Sequence, residues 1–360
     1  MLYAVPIIIL FLWFYSPKTW RINQNVFFRN RNRNFILAVV IISIFSCLKD
    51  PFIYPDNISY YEWYKSLAFD DDSLNIGYII YNHIVSFISN NNHFVFFAIS
   101  AIAINVGYCK YIDRNSPHIW LALFLYILIN YYPSFFLLRQ YLAMPFVFMA
   151  FYYIIERKLV GFIVCSLLAY SFHTMSLCIV PMYFVYSLKP SRLNFILIAG
   201  GTVAGCLGLV AIGNYLSSYF DAYSHYLSLE VEDAAWSRAF MKIYIFGVYV
   251  YALGHDCYKV GINRIVFYSM LMCIIICVGA VNLFGVYRMR DFFSIADIIG
   301  VPLIWCYAKQ YNGFRKYTAR ILALAYIALL VYSFNSFVQG DNMHSDYQLF
   351  WNGKPIYWSK

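Results

Sequence analysis

Charged side chains are scarce in this sequence. Lys, Arg, Asp and Glu make up 12% of the 360 residues, whereas hydrophobic residues make up 62%. Soluble domains usually carry about 25% charged residues. A chain of this composition cannot hide its apolar surface from water by folding alone. The composition therefore excludes a soluble globular enzyme and indicates a protein of the membrane.

Signatures of nucleotide and metal chemistry are also missing. The sequence has no phosphate-binding P-loop, no HExxH motif, no dinucleotide fingerprint and no DxD-like motif on a connection predicted to be cytoplasmic. Its nine cysteines lie mostly inside or at the ends of apolar runs, without the paired spacing of a zinc site or a disulfide framework. We therefore predict no cofactor and no metal, and we do not expect a nucleotide-activated donor.

The apolar residues form runs that approach or reach the roughly 20 residues with which a helix crosses about 30 Å of hydrocarbon. They do not alternate as the strands of a membrane barrel would. We predict an all-α integral membrane protein, a polytopic bundle of 11 to 12 transmembrane helices with room for re-entrant or half-helices, in a single domain over residues 1–360. The predicted helices cover 2–15, 35–48, 76–89, 94–109, 119–136, 141–155, 160–186, 193–213, 243–254, 265–285, 292–308 and 320–338.

The net charge of +9 indicates topology rather than a nucleic-acid partner. Basic residues are retained in the cytoplasm. They concentrate in the connections 17–34, 110–118, 156–158, 187–192, 255–264 and 309–320. Acidic residues concentrate in two other segments, near 49–75 and 214–242, which we predict to be loops on the outer face.

Two segments conflict with a simple alternation of sides. Connections 156–158 and 187–192 are both basic, yet one apolar stretch separates them. Either two half-helices turn near Phe172 and His173, or one long tilted helix crosses the membrane. Between residues 49 and 93, one segment must be partial or re-entrant for the acidic loop to lie outside.

Three arginines lie at predicted outer boundaries, where the positive-inside trend does not favour them: Arg139, Arg288 and Arg290. A planar guanidinium binds two oxygens of a phosphate or pyrophosphate at once. The alternative for each is an interfacial arginine that reaches lipid headgroups.

His173 and Asp297 are polar residues inside predicted membrane runs. An imidazole can transfer a proton near neutral pH, although a lone histidine can also be a packed polar residue. Asp297 follows Arg290 by seven residues and lies on the same helical face. It can take part in catalysis or form a structural ion pair with an arginine.

Aromatic residues are concentrated in the predicted outer loops. Tyr60 belongs to one group, and Tyr215, Tyr219 and Tyr223 form a helical stripe in the other. Tyrosine rings pack on the C–H faces of sugars, which makes these residues candidate sugar contacts. The alternative is an amphipathic helix in the headgroup region.

Several short motifs resemble one family. They are Arg139-Gln140-x-x-Ala143, Glu156-Arg157-Lys158, Phe172-His173, Pro181-Met182-Tyr183, Asp56-x-x-x-Tyr60, Gly77-Tyr78 and Arg290-x-x-Phe293. Together, over roughly residues 50 to 300, they resemble the EpsG-like, Wzy-type polysaccharide polymerases. Two positions depart from the pattern: Asn75 stands where an acid is common, and Ile356 separates Pro355 from Tyr357.

The resemblance implies an O-antigen polymerase or a related enzyme in a bacterial inner membrane. Such an enzyme moves a growing glycan from polyprenyl pyrophosphate onto a sugar hydroxyl of the next lipid-linked unit. Its expected partners are the polyprenyl-pyrophosphate-linked oligosaccharide, membrane lipids and a chain-length regulator. The roles that fit the residues are pyrophosphate binding by Arg139, Arg288 and Arg290; base catalysis by His173, with Asp56 or Asp297 orienting or replacing it; and sugar binding by Gln140, Tyr60, Tyr215, Tyr219 and Tyr223.

Three other functions remain open on the sequence. A flippase or transporter of lipid-linked units would more typically show paired inverted halves, which this sequence does not show. A membrane acyltransferase would need a donor path from the cytoplasm, whereas the polar candidates here cluster on the predicted outer side. An O-antigen ligase shares the donor, and a very long outer loop would favour it.

Overall fold

The computed structural model describes residues 4–14, 33–67, 75–189, 191–217, 234–279, 288–310 and 313–339. Every regular element in these ranges is helical, which confirms the predicted all-α class. The α-helices are α1 Ala4–Phe14, α2 Arg33–Cys47, α3 Pro55–Ser66, α4 Ile76–Ser89, α5 His93–Asn115, α6 Ile119–Tyr126, α7 Leu138–Ile155, α8 Leu159–Phe172, α9 Val180–Val185, α10 Arg192–Ser217, α11 Ala234–Leu253, α12 Ile262–Gly279, α13 Ile295–Tyr307 and α14 Phe314–Gln339.

Four helical segments of the described chain are long and apolar enough to cross a membrane: His93–Asn115, Leu138–Ile155, Arg288–Gln310 and Phe314–Gln339. Eight further apolar helical segments are shorter. The Arg288–Gln310 segment is 89% buried along its most apolar window, whereas the Phe314–Gln339 segment is 17% buried. The first is therefore an interior helix, and the second presents most of its apolar surface outward, as a multi-pass membrane protein requires.

The described residues form two compact units. Unit 1 comprises those within Met1–Ala150, Ile163–Leu177 and Ile327–Lys360, and unit 2 comprises those within Phe151–Phe162 and Cys178–Tyr326. In unit 1, Tyr108 stacks on Tyr126 at a centroid distance of 4.5 Å and on Tyr141 at 6.1 Å. Gly107 lets α5 approach α7 closely, because an added Cβ would lie 2.5 Å from Pro145 Cγ.

The apolar stretch between the two basic connections is a pair of half-helices. It begins with α8, which is 14 residues long and therefore about 21 Å, too short to cross the hydrocarbon alone. A 3-10 helix, Thr174–Ile179, follows, and then α9 with Pro181 in its first turn. Pro181 lacks an N–H and disfavours a continuous helix through the residues before it.

The two ends of this stretch meet within unit 2. Arg157 Nη1 donates to the carbonyl oxygen of Tyr183 at 2.9 Å, and the guanidinium lies 4.5 Å from the centroid of the Tyr183 ring. Phe162 stacks on the same ring at 4.9 Å. Of the two sequence interpretations, the structure therefore shows the half-helices: the helix breaks after Phe172, and the start and the end of the stretch lie in contact.

Two short helices occupy the other segment of uncertain topology. Their lengths are 12 residues for α3 and 14 for α4, both below the roughly 20 needed to span a membrane. They pack together: the Tyr60 ring lies 6.1 Å from the Tyr78 ring, and the Tyr64 hydroxyl lies 2.5 Å from Ser89 Oγ. Pro55–Ser66, within the loop predicted over 49–75, is thus helical, and the partial or re-entrant crossing of this region stays a prediction.

Candidate functional site

Arg139 lies in the first turn of α7, between aromatic rings contributed by α3 and α4. Its guanidinium carbon is 4.8 Å from the Trp63 ring centroid and 5.9 Å from that of Tyr78. The Tyr60 ring lies 5.7 Å from Trp63 and 6.1 Å from Tyr78. Such cation–π contacts hold the flat face of a guanidinium, whereas its N–H groups lie in the plane at the edge, where phosphate oxygens bind.

The turn between the half-helices carries His173 and is tied to the start of α4. Asn75 Nδ2 donates to the Tyr170 carbonyl at 3.2 Å and to Thr174 Oγ1 at 3.0 Å, so it binds the chain on both sides of His173. Phe172 stacks on Phe146 of α7 at 5.5 Å. Asn75 therefore connects α4 to this turn. In the family that the motifs resemble, an acid is common at this position.

Arg139 and the His173 turn both pack against the first turn of α4. Tyr78 contacts the guanidinium, and Asn75 and Gly77 contact the turn. All of these residues belong to unit 1. The structure thus brings two predicted site regions, 34 positions apart in sequence, onto one short helix. We name this set, Tyr60, Trp63, Asn75, Tyr78, Arg139 and His173, the arginine–histidine site.

Gly77 makes the close approach of α4 to this turn feasible. A Cβ at this position would lie 2.1 Å from Ser171 Oγ and 2.7 Å from the Ser171 carbonyl oxygen. We expect Gly77→Ala to lower the free energy of unfolding by about 1–3 kcal/mol, because the backbone of the turn must move away. Thermal unfolding in detergent measures this loss.

Gly201→Ala provides the matched control for that variant. Gly201 lies in exposed α10 with no atom within 4 Å of an added Cβ. Alanine there should be neutral or stabilise the helix by up to about 1 kcal/mol. Equal effects of the two substitutions would contradict the close packing assigned to Gly77.

The other site residues predicted in this region are placed differently. Asp56 lies in the first turn of α3, one turn before Tyr60, and its side chain makes no hydrogen bond or ion pair with any described residue. Gln140 is 2% exposed and Tyr60 is 7% exposed, so both are mainly packed side chains here. Tyr215 is at the end of α10, but its side chain, together with Tyr219 and Tyr223, lies outside the described residues.

Asp297 is fully paired inside unit 2. Lys242 Nζ donates to Asp297 Oδ2, and the Tyr326 hydroxyl donates to Oδ1 at 2.7 Å. The carboxylate is 1% exposed. The sequence suggested an arginine as the structural partner and placed Lys242 in an outer loop. Both details were wrong, because α11 begins at Ala234 and carries Lys242 two turns into a helix.

Because Asp297 and Lys242 are paired, we expect single and double substitutions to change the stability of the protein by different amounts. Asp297→Leu alone should destabilise the protein by about 3–5 kcal/mol, because Lys242 is left as an uncompensated buried charge. Adding Lys242→Met should recover most of that loss, since both charges are then absent. Unfolding midpoints in detergent test this. Equal destabilisation by the single and the double variant would contradict it.

Arg288 and Arg290 lie in a 3-10 helix, Arg288–Phe293, that precedes α13 in unit 2. Both are half-buried, and Arg290 Nε lies 3.3 Å from Asp291 Oδ1. Phe292 and Phe293 are completely buried and hold this short helix in place. The assignment of both arginines to pyrophosphate stays a prediction.

The sequence did not single out Trp63 or Asn75 as functional residues. Two features of the sequence could have identified them. Trp63 lies in an aromatic segment predicted to be outside, and Asn75 lies two residues before the Gly77-Tyr78 motif. Among the described residues, no three His, Cys, Asp or Glu side chains are grouped so that they could hold a metal ion. The functional groups that this site offers are a guanidinium, an imidazole and aromatic rings.

Comparison with known proteins gives one match. The model of the EpsG family matches residues 32–349, which include all residues of the arginine–histidine site. No curated protein and no solved structure matches the chain significantly. The family match covers most of the chain and agrees with the motifs that carried the resemblance. The chain therefore belongs to the EpsG family, a family of Wzy-like polymerases.

Proposed function

We propose that this multi-pass membrane protein polymerises lipid-linked oligosaccharide repeat units on the outer face of a bacterial inner membrane, as an O-antigen polymerase or a close relative. Its family supports a glycosyltransferase-type polymerase. The observation that carries the finer proposal is the place of Arg139, whose guanidinium contacts Trp63 and Tyr78. Tyr78 belongs to α4, and Asn75 at the start of the same helix anchors the His173 turn.

The reaction requires a base for the acceptor and a cation for the leaving group. A sugar hydroxyl oxygen of the acceptor unit attacks the anomeric carbon of the donor glycan, and a new C–O bond forms as the bond from that carbon to the pyrophosphate oxygen breaks. His173 accepts the hydroxyl proton in our proposal. Polyprenyl pyrophosphate leaves with the electron pair, and Arg139 stabilises its added charge.

The remaining predicted residues differ in their place in this proposal. Arg288 and Arg290 belong to unit 2 and carry no step of this proposal, so their binding of pyrophosphate stays a prediction from the sequence. Asp56 is on the polar helix α3, one turn from Tyr60, where it can orient the imidazole or a sugar hydroxyl. Asp297 is excluded from our proposed mechanism, because its oxygens are already bonded to Lys242 and Tyr326. Retained polymer synthesis by the Lys242→Met, Asp297→Leu double variant would support that exclusion.

The test is the size distribution of surface polysaccharide in cells that lack the protein. A polymerase deletion should leave lipid core that carries a single repeat unit, and the wild-type chain should restore the ladder of lengths. Absence of any repeat unit on the core would contradict the proposal and favour a flippase or a ligase. An unchanged ladder would also contradict it.

A further inference from the structure

Lys49 is a buried lysine that lies outside the proposed reaction centre. It is 4% exposed, in the connection after α2, and has no carboxylate within ion-pair distance among the described residues. Its Nζ donates to the Phe135 carbonyl oxygen at 2.7 Å and lies 4.3 Å from the centroid of the Phe135 ring. Burial lowers the pKa of Lys49 well below its usual value. Burial of an amine is unfavourable unless it is hydrogen-bonded, so the bond to the Phe135 oxygen stabilises Lys49 in this position.

Asn57 donates to the same carbonyl. It is completely buried in α3, and its Nδ2 lies 2.9 Å from the Phe135 oxygen and 3.0 Å from the Pro51 oxygen. Two carbonyl acceptors fix the orientation of the amide. The Phe135 oxygen thus receives one side-chain donor from the end of α2 and another from α3, and both lone pairs of this oxygen are used.

The carbonyl belongs to the irregular segment that leads into α7. Pro133–Phe135 is a 3-10 helix, and α7 begins at Leu138, so Arg139 follows Phe135 by four residues. The amides of Phe135, Phe136 and Leu137 donate locally, to the carbonyl oxygens of Tyr132 and Pro133, whereas the Phe135 oxygen is held by side chains of other elements. Fixing Phe135 therefore fixes the direction in which α7 starts and the place of its first-turn side chains.

We infer that Lys49 and Asn57 are positioning residues that hold the Pro133–Leu137 segment and thereby set Arg139 between its aromatic rings. The part of this inference that concerns the reaction rests on the proposed function. Lys49 cannot reach a substrate from its buried position, so it acts through the backbone. This role accounts for the presence of a lysine in an aromatic setting formed by Tyr54 and Phe135.

The test uses the full-length protein in detergent and compares Lys49→Met with Ser100→Ala. Ser100 is buried in the same unit, where its hydroxyl bonds to Tyr81 and to the Phe96 carbonyl. Hydrogen exchange followed by mass spectrometry should show amide exchange in residues 134–139 rising about tenfold in Lys49→Met and unchanged in Ser100→Ala. Asn57→Leu removes the other donor to the same oxygen and should act in the same direction if Lys49→Met fails to fold.

The kinetic test uses a purified lipid-linked oligosaccharide as substrate. Lys49→Met should lower kcat about tenfold with little change in KM, and Lys49→Arg, which can still donate to the carbonyl, should recover part of kcat. Unchanged exchange over 134–139 in both Lys49→Met and Asn57→Leu would overturn the inference. Raised exchange with unchanged kcat would overturn its link to the reaction. If the wild-type protein makes no polymer from this substrate, the proposed function fails, while the exchange result still decides the structural role. If Arg139→Gln leaves synthesis intact, only the role of Arg139 at the pyrophosphate fails.

Discussion

Arg139→Gln should abolish the polysaccharide ladder in cells and lower the rate of polymer synthesis by the purified protein by about 10²–10³-fold. The substitution removes the positive charge that we place at the leaving pyrophosphate while it keeps a polar side chain of similar reach. Arg139→Lys should restore only part of the rate, because an ammonium lacks the planar pair of donors that bind two phosphate oxygens together. Rates at saturating lipid-linked donor measure both effects.

A matched arginine provides the control for this prediction. Arg320 lies with its guanidinium carbon 5.2 Å from the Trp305 ring centroid, so it makes a comparable cation–π contact in unit 2. Arg320→Gln should leave the ladder intact. A ladder that survives Arg139→Gln would refute the role of Arg139 at the pyrophosphate. Equal losses in the two variants, with reduced protein levels, would indicate a general requirement for stacked arginines in folding.

His173→Gln should lower the rate of synthesis by about 10²–10⁴-fold, the usual contribution of a positioned general base. The wild-type rate should fall at acidic pH, because only the neutral ring of a histidine base can accept the hydroxyl proton. The variant should lose that acidic limb of the pH profile. Binding of the lipid-linked donor should change little, since Arg139 remains.

His255 offers the control for the histidine. It is exposed in the connection after α11, where its Nδ1 lies 2.7 Å from the Tyr258 hydroxyl. His255→Gln should leave both the rate and the pH profile as in the wild type. If His173→Gln keeps the acidic limb, another group is the base, and Asp56, at the start of α3, is the next residue to replace.

Part of the candidate site was predictable, because a charged or polar residue in an apolar sequence can be recognised without knowledge of its neighbours in space. Arg139 and His173 were identified from their unusual places at the boundary or in the middle of an apolar run. The aromatic contacts of Arg139 could not be predicted from the sequence, because Trp63 and Tyr78 belong to two other helices. The role of Lys49 could not be predicted either, because the carbonyl that accepts its hydrogen bond lies 86 positions away.

The sequence by itself determined the class of the protein and the position of most of its apolar helices. Long apolar runs without alternation can satisfy their backbone only as helices within a membrane, whatever their neighbours are. Only the tertiary structure decided between half-helices and one tilted helix at 156–192, because basic residues at both ends fit either arrangement. It also decided that Asp297 pairs with Lys242, 55 positions away, since charge pairing depends on which helices lie side by side. The local sequence pattern sets secondary structure and membrane preference, whereas packing selects the partner of each polar group. The pairing of Asp297 with Lys242 is such a choice, and it removes Asp297 from the proposed mechanism.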